Sequence, residues 1–402
     1  MSARIVITGA GAISSIGAGV EEFERALYAG ESGVGPSQLF GDSSVTAEVR
    51  NFSPQPWLGN KGIRVLDRVA RLLSVAAHMA LCGSGLARSE AGGSDPELGL
   101  VCGTMLGSLH SITSFDWSGL EDGPNYVNPM DFPNTVINSA AGQAAIKFKL
   151  GGVNSTICGG GAAGLYALHY AAEFLRLGRA RALLAGGAEE LSEESYLGFR
   201  KTGNTSPSGC PRPFDPERDG VVLGEGAVLL TLESEETARA RGAKPWAEIS
   251  GFGCAQDAHS TRAFDVRGEG ATSAIELALE SAGIGPAEVS CIIAAASGSR
   301  AGDEMEARAL QNVFGARLGE IPVCAPKAAL GESLGAAGAF GALLGTMALT
   351  KQCLPPTPGV RAVAPGIRLA SQPQSFQGDV ALVNAFSCDG NNAAMILRRW
   401  TD

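Results

Sequence analysis

Cys158 is the residue of this chain best placed to do chemistry. It stands in Val153-Asn154-Ser155-Thr156-Ile157-Cys158-Gly159-Gly160-Gly161-Ala162, directly ahead of an amphipathic run from Leu165 to Leu177. A cysteine at a sharp, glycine-rich turn into a helix holds its sulfur near the positive end of the helix dipole. That setting lowers the thiol pKa and favours the nucleophilic thiolate. The plainer alternative is a small buried cysteine packed behind a turn. A second glycine-rich segment, Gly9-Ala10-Gly11, follows the first apolar run and has the start of a dinucleotide fingerprint. Ser14 holds its third glycine position, and no acidic ribose partner follows about 20 residues on, so nicotinamide binding is not expected.

The elements that must position such a cysteine are legible as alternating short aliphatic runs and longer helical patterns, the mark of α/β layering. Strands are expected at Arg4–Thr8, Leu98–Cys102, Arg181–Ala185, Ala227–Glu233, Ala247–Gly253, Cys291–Ala295 and Ala381–Asn384. Helices are expected at Glu21–Ala29, Arg68–Cys82, Ala162–Leu177, Ala271–Ala282, Asp303–Phe314 and Ala336–Thr350. A charged stretch at Glu233–Pro245 marks the boundary between two strand-first halves, 1–245 and 246–402, whose similar build points to an internal duplication.

Composition narrows the function classes. The 402 residues are 45% hydrophobic and 18% charged with 55 glycines, which fits a large core and many tight turns. A net charge of −10 argues against nucleic acid or an anionic membrane as partner. The nine cysteines (82, 102, 158, 210, 254, 291, 324, 353 and 388) include no CxxC pair, so reduced thiols are expected instead of a disulfide framework or a zinc site. Arg4-Ile5-Val6-Ile7-Thr8 is too short for a signal-peptide core, and no uninterrupted apolar stretch is expected to span a membrane. The expectation is a soluble cytoplasmic protein.

Taken in order, a set of short segments resembles the β-ketoacyl-ACP synthase family of the thiolase-like fold. These are Ile7-Thr8-Gly9-Ala10-Gly11, the Cys158 turn, Leu184-Ala185-Gly186-Gly187-Ala188-Glu189, Arg212-Pro213-Phe214-Asp215 with Arg218-Asp219-Gly220, and Gly224-Glu225-Gly226-Ala227. They continue with Asp303-Glu304-Met305-Glu306, Lys327 with Gly335-Ala336-Ala337-Gly338, Leu354-Pro355-Pro356-Thr357, and Asn384-Ala385-Phe386 leading to Asn392. The resemblance runs the length of the chain. It implies two similar α/β halves in a layered α-β-α-β-α architecture, with Cys158 as the family's acyl-accepting cysteine.

The same resemblance exposes what is missing. The family uses two histidines to assist decarboxylation of a malonyl-carrier and to stabilise the enolate. The first belongs where this chain reads Ala295-Ala296-Ser297-Gly298-Ser299, so Ala295 stands in its place. The second belongs five residues after the family lysine, where Glu332 follows Lys327. The carboxylate usual nine residues further on is Gly341, and the glycine-flanked phenylalanine near the C-terminus is Cys388, close to Phe386. His78, His110, His169 and His259 lie away from these motifs. An ionised Glu332 would repel a forming enolate where a neutral imidazole donates to it.

The leading expectation is therefore a non-condensing partner subunit, similar to a chain-length factor, that forms a heterodimer with an active ketosynthase and shapes an acyl tunnel. Cys158, Glu332 and Lys327 are its candidate catalytic-position residues, and Cys388, Phe386 and Ala295 its candidate substrate-binding residues. The alternative is an acyltransferase that forms an acyl-Cys158 intermediate with Glu332 as base and no decarboxylation. A third reading is acyl or carrier binding without turnover. The resemblance implies no metal, nicotinamide or flavin. It does imply the phosphopantetheine arm of an acyl carrier protein, docked on the partner or at Arg200-Lys201, and a polyketide or polyunsaturated fatty-acyl product. Asn128–Gly142 aligns with the region that meets the partner in relatives.

Overall fold

The computed structural model describes residues 3–41, 44–87 and 93–401. The N-terminal half contributes β1 (Ile5–Ser14), β2 (Leu98–Thr104), β3 (Asn154–Cys158), β4 (Ala182–Glu189) and β5 (Gly226–Ser234). The C-terminal half contributes β6 (Ala247–Gln256), β7 (Cys291–Ile293), β8 (Pro322–Cys324), β9 (Val380–Phe386) and β10 (Asn391–Arg399). Within the first half the spatial order is β3-β2-β4-β5-β1, and within the second β8-β7-β9-β10-β6. Both orders read third, second, fourth, fifth, first. In each half the first three of these strands run parallel and the last two pair antiparallel. The halves join where Ile5–Ile7 of β1 pairs with Ala247–Ile249 of β6.

Side-chain alternation along the strands builds the layers, because successive residues face opposite sides of a sheet. Leu183 and Ala185 of β4 join one core while Ala182, Leu184 and Ala188 join another. Likewise Ala381, Val383 and Ala385 of β9 face the first core, and Val380, Leu382 and Phe386 a third. The helices are α1 (Val20–Tyr28), α2 (Arg68–Gly83), α3 (Leu109–Glu121), α4 (Ser139–Phe148), α5 (Ala163–Arg176), α6 (Glu193–Lys201), α7 (Glu269–Ala282), α8 (Arg300–Phe314) and α9 (Ala337–Lys351). Residues of α5 and α9 fill the core shared by both sheet halves, α2 and α4 cover the outer face of the first half, and α7 and α8 cover that of the second. The result is the expected α-β-α-β-α stack.

Every helix expected from the sequence is present, starting within three residues of its expected position. Two expectations need correction. Residues 334–351, which include α9, are long and apolar enough by composition to cross a membrane, with mean hydropathy 1.2, contrary to the reading that no stretch qualifies. That segment is 89% buried, because α9 is wedged between the two halves of the sheet and has no wet face. The second correction concerns β1, which continues six residues beyond its expected end through Gly9-Ala10-Gly11. A Cβ on Gly11 would collide with the Ala76 carbonyl oxygen of α2, so this glycine admits close helix–strand packing and not a phosphate.

Candidate functional site

A cavity of about 260 Å³ opens between the two halves. Met105, Phe199, Phe264, Leu334 and Phe386 give it apolar walls, and Glu332, Cys388, Ser297 and Ser299 bring polar groups into it. Ser299 is there because it caps α8, accepting from the Gly302 N–H at 3.2 Å. The exposed Arg262 and Arg300 stand at its margin.

Glu332 reaches the cavity on a segment stitched to the other half. Its N–H donates to the Val222 carbonyl at 2.7 Å, and its carbonyl accepts from Gly224 N–H at 2.9 Å. Its carboxylate accepts from Lys327 Nζ at 2.7 Å, with the two side chains only 12% and 8% exposed. The other carboxylate oxygen accepts from the Leu334 N–H at 3.0 Å. Leu334 has φ of 46°, a left-handed conformation that costs a side-chain-bearing residue roughly 1–3 kcal/mol and is held by its surroundings. Cys388 lies close enough that burial, then Asp389 and Glu332, push its thiol pKa up.

The carboxylate that organises these loops is Glu189, at the end of β4 and fully buried. It accepts from Thr104 Oγ1 at 3.1 Å, from the N–H groups of Met105, Leu106 and Gly107 at 2.7, 2.9 and 3.1 Å, and from Gly335 N–H at 3.0 Å. One side chain thus fixes both Met105 and the turn after Leu334. Burial nonetheless pushes its pKa up, against the pull of those donors. The segment ending in Glu189 is recognisable in the sequence, but nothing in one strand end reveals donors that arrive from residues 104 and 335.

The structure separates the predicted site residues. Lys327 and Glu332 meet, and Glu332, Phe386 and Cys388 line the cavity. Cys158 and Ala295 do not. Cys158 ends β3 and is exposed, with Gly161 being the part of its turn that touches the cavity. The expected lowering of the Cys158 pKa is also overturned. A 3-10 turn, Gly160–Ala162, intervenes before α5, and partial burial together with the Glu189 charge pushes the thiol up. Ala295 is buried, its N–H given to Glu306 Oε1 at 2.9 Å, so Ser297 meets the cavity in its stead. What does bring the cysteine turn to the cavity loop is Ser387, whose Oγ accepts from Gly161 N–H at 2.9 Å.

None of the four histidines lines the cavity. His169 stacks on Phe252 with centroids 4.1 Å apart, and His110 pairs with Glu194 at 3.2 Å. Gly341 faces an apolar seam, where a Cβ would sit 3.0 Å from Val383 Cγ1 and 3.5 Å from Ile293 Cγ2.

The profile of the beta-ketoacyl synthase N-terminal domain matches residues 2–238, and that of the C-terminal domain matches residues 246–361. A 3-oxoacyl-[acyl-carrier-protein] synthase 2 of Coxiella burnetii is 34% identical, with 99% of each chain covered. Among solved structures, the ishigamide ketosynthase/chain length factor superposes with a TM-score of 0.91 at 31% identity, covering all of both chains. A type II polyketide ketosynthase in complex with its acyl-carrier protein and bound to the hexaketide has a TM-score of 0.89 at 28% identity, again covering all of both.

Proposed function

The chain belongs to the beta-ketoacyl synthase family, and within it we propose that it is a non-condensing subunit, a chain-length-factor-like partner of an active ketosynthase. The observation that carries this reading is the Glu332 carboxylate, bonded to Lys327 inside the cavity where the family resemblance puts an imidazole. A carboxylate engaged by an ammonium accepts hydrogen bonds. It cannot donate one to a forming enolate, and its charge opposes the enolate's. Ala295 offers only a methyl at the other histidine position. The sequence relatives carry the name of 3-oxoacyl-[acyl-carrier-protein] synthases, so the assignment of a non-condensing role rests on these residues and not on overall similarity.

The partner's place is supported by a stretch in which no side chain is fully buried. Helix α3 has no buried residue, and Trp117, Leu120, Tyr126, Met130 and Phe132 are all more than half exposed. So much bare aromatic and aliphatic surface in one stretch of chain marks a protein interface. β3 offers a second open surface, as an edge strand of the sheet. In this reading the ketosynthase covers α3 and residues 122–138, the cavity becomes part of the acyl path, and a carrier's phosphopantetheine arm presents the chain. Arg200 and Lys201 follow Phe199 of the cavity wall and offer a local cationic spot for an acidic carrier. The nine free cysteines fit a cytoplasmic setting.

The acyl-Cys158 reading is supported by an exposed thiol. It is weakened by that thiol's raised pKa and by its place outside the cavity. The test is to supply the purified chain with acyl- and malonyl-carrier thioesters, alone and with a co-expressed ketosynthase. No carbon dioxide release alone, together with a heterodimer that makes product, is the expected result. Condensation by the chain alone, or acyl mass retained on Cys158, would displace the proposal.

A further inference from the structure

Behind the cavity, Glu306 and Asn384 each leave one oxygen bare. Glu306 of α8 is 1% exposed and Asn384 of β9 is 3% exposed. Glu306 Oε1 accepts from Asn384 Nδ2 at 2.9 Å and from Ala295 N–H at 2.9 Å. Glu306 Oε2 and Asn384 Oδ1 are buried with no hydrogen-bond partner. If Glu306 were a carboxylate, both bare atoms would be acceptors in a dry interior, a costly arrangement. Lys327, the cation that acts on Glu306, spends its bond on Glu332. Asp303, one turn earlier on α8, adds negative charge beside Glu306, and Arg218 acts on Asp303 from the other half.

A carboxylic acid and a primary amide are planar groups with two polar atoms each. Once joined from amide N–H to carboxyl oxygen, they close an eight-membered ring when the second oxygen carries a proton. We propose that Glu306 is a neutral acid that donates from Oε2 to Asn384 Oδ1, and that this ring makes Glu306 a positioning residue for the cavity wall. One proton removes both bare oxygens. The ring ties the end of β7, from which Ser297 enters the cavity, to the end of β9, from which Phe386 and Cys388 enter it. Burial pushes Glu306 up to about 7, against the pull of Asn384, so the proton is held in mildly acidic solution and lost as pH rises through neutrality. On loss, a carboxylate oxygen faces an amide oxygen and the tie between the two strand ends weakens.

Glu306→Gln in the full-length chain tests the ring. A glutamine amide there accepts from Ala295 and Asn384 and donates to Asn384 Oδ1, with no proton to lose. Because Glu306 holds its proton to higher pH folded than unfolded, the wild type loses stability as pH rises from about 4.5 to about 7, and the variant is spared that loss. The two proteins should melt together at pH 5, and the variant should melt roughly 2–5 °C higher at pH 8. A variant that melts lower by a constant amount at every pH would overturn the proposal, since Glu306 would then act as an anion. Infrared difference spectra give a second readout. A protonated carboxyl band in the wild type, absent from the variant and fading near pH 7, is expected, and no such difference band would equally overturn it. Neither readout depends on the proposed partner role.

Discussion

Lys327 pairs with Glu332 at the cavity wall, Nζ to Oε2 at 2.7 Å, with both side chains nearly buried. Removing one partner strands the other charge in the interior, whereas replacing both with apolar groups need not cost much. Lys327→Met should therefore destabilise the chain by about 3 kcal/mol, and Lys327→Met with Glu332→Leu should recover most of that. Urea titrations of the two single variants and the double variant would check it, and additive effects would show that the pair is not coupled.

Glu190 sets a second pH limit. It is 5% exposed, accepts from Val69 N–H at 3.1 Å and His110 N–H at 3.3 Å, and burial with the Asp67 charge raises its pKa to about 8. The folded state therefore holds this proton to higher pH than the unfolded state, and stability falls as pH rises from about 4.5 to about 8. Glu190→Gln should flatten that decline, a gain on the order of 2–4 kcal/mol above pH 8. Thermal melts from pH 5 to 9 would show it, and parallel curves would refute it.

Cys158 should alkylate slowly at neutral pH. Burial and Glu189 raise its thiol pKa, so the thiolate fraction stays small and the rate with iodoacetamide should still climb above pH 9. Comparison of peptide mass labelling with Cys158→Ala isolates the site. A rate already at its plateau by pH 7 would mean that the thiolate is stabilised after all.

The exposed side chains of α3 should matter for assembly and not for folding. Trp117 is 59% and Leu120 79% exposed. Trp117→Glu with Leu120→Glu should leave the melting temperature within about 1 °C and abolish co-purification with a ketosynthase. Retained co-purification would put the partner on another face.

The fold was readable where burial writes a period into the sequence. α2 and α5 carry buried stripes, and β5 and β9 are buried on both faces, so the expected limits of these elements fall within two residues of those observed, whereas β4 runs four residues past its expected end to Glu189. Helix α3 was invisible for the opposite reason: it buries no residue, so it has no apolar stripe to read. β3, Asn-Ser-Thr-Ile-Cys, was missed because a short polar edge strand is ordered by β2 alone, with Leu100–Thr104 pairing with Asn154–Cys158. At the site, the five-residue spacing of Lys327 and Glu332 translated into a contact. The positions of Cys158 and Ala295 relative to the cavity depend on loops from both halves, and local sequence does not encode them.

The central layer of α5 and α9 has a consequence for how the molecule can come apart. Each helix faces sheet surface from both halves, so neither half has an interior of its own on that side. A chain cut between residues 245 and 246 would yield two pieces, each with an oily face as broad as a sheet. They should behave as a split protein whose fragments refold by finding each other, not as two modules that can be borrowed separately. Evolution can then vary the outer helices of one half freely, while changes in the middle must be matched across the seam.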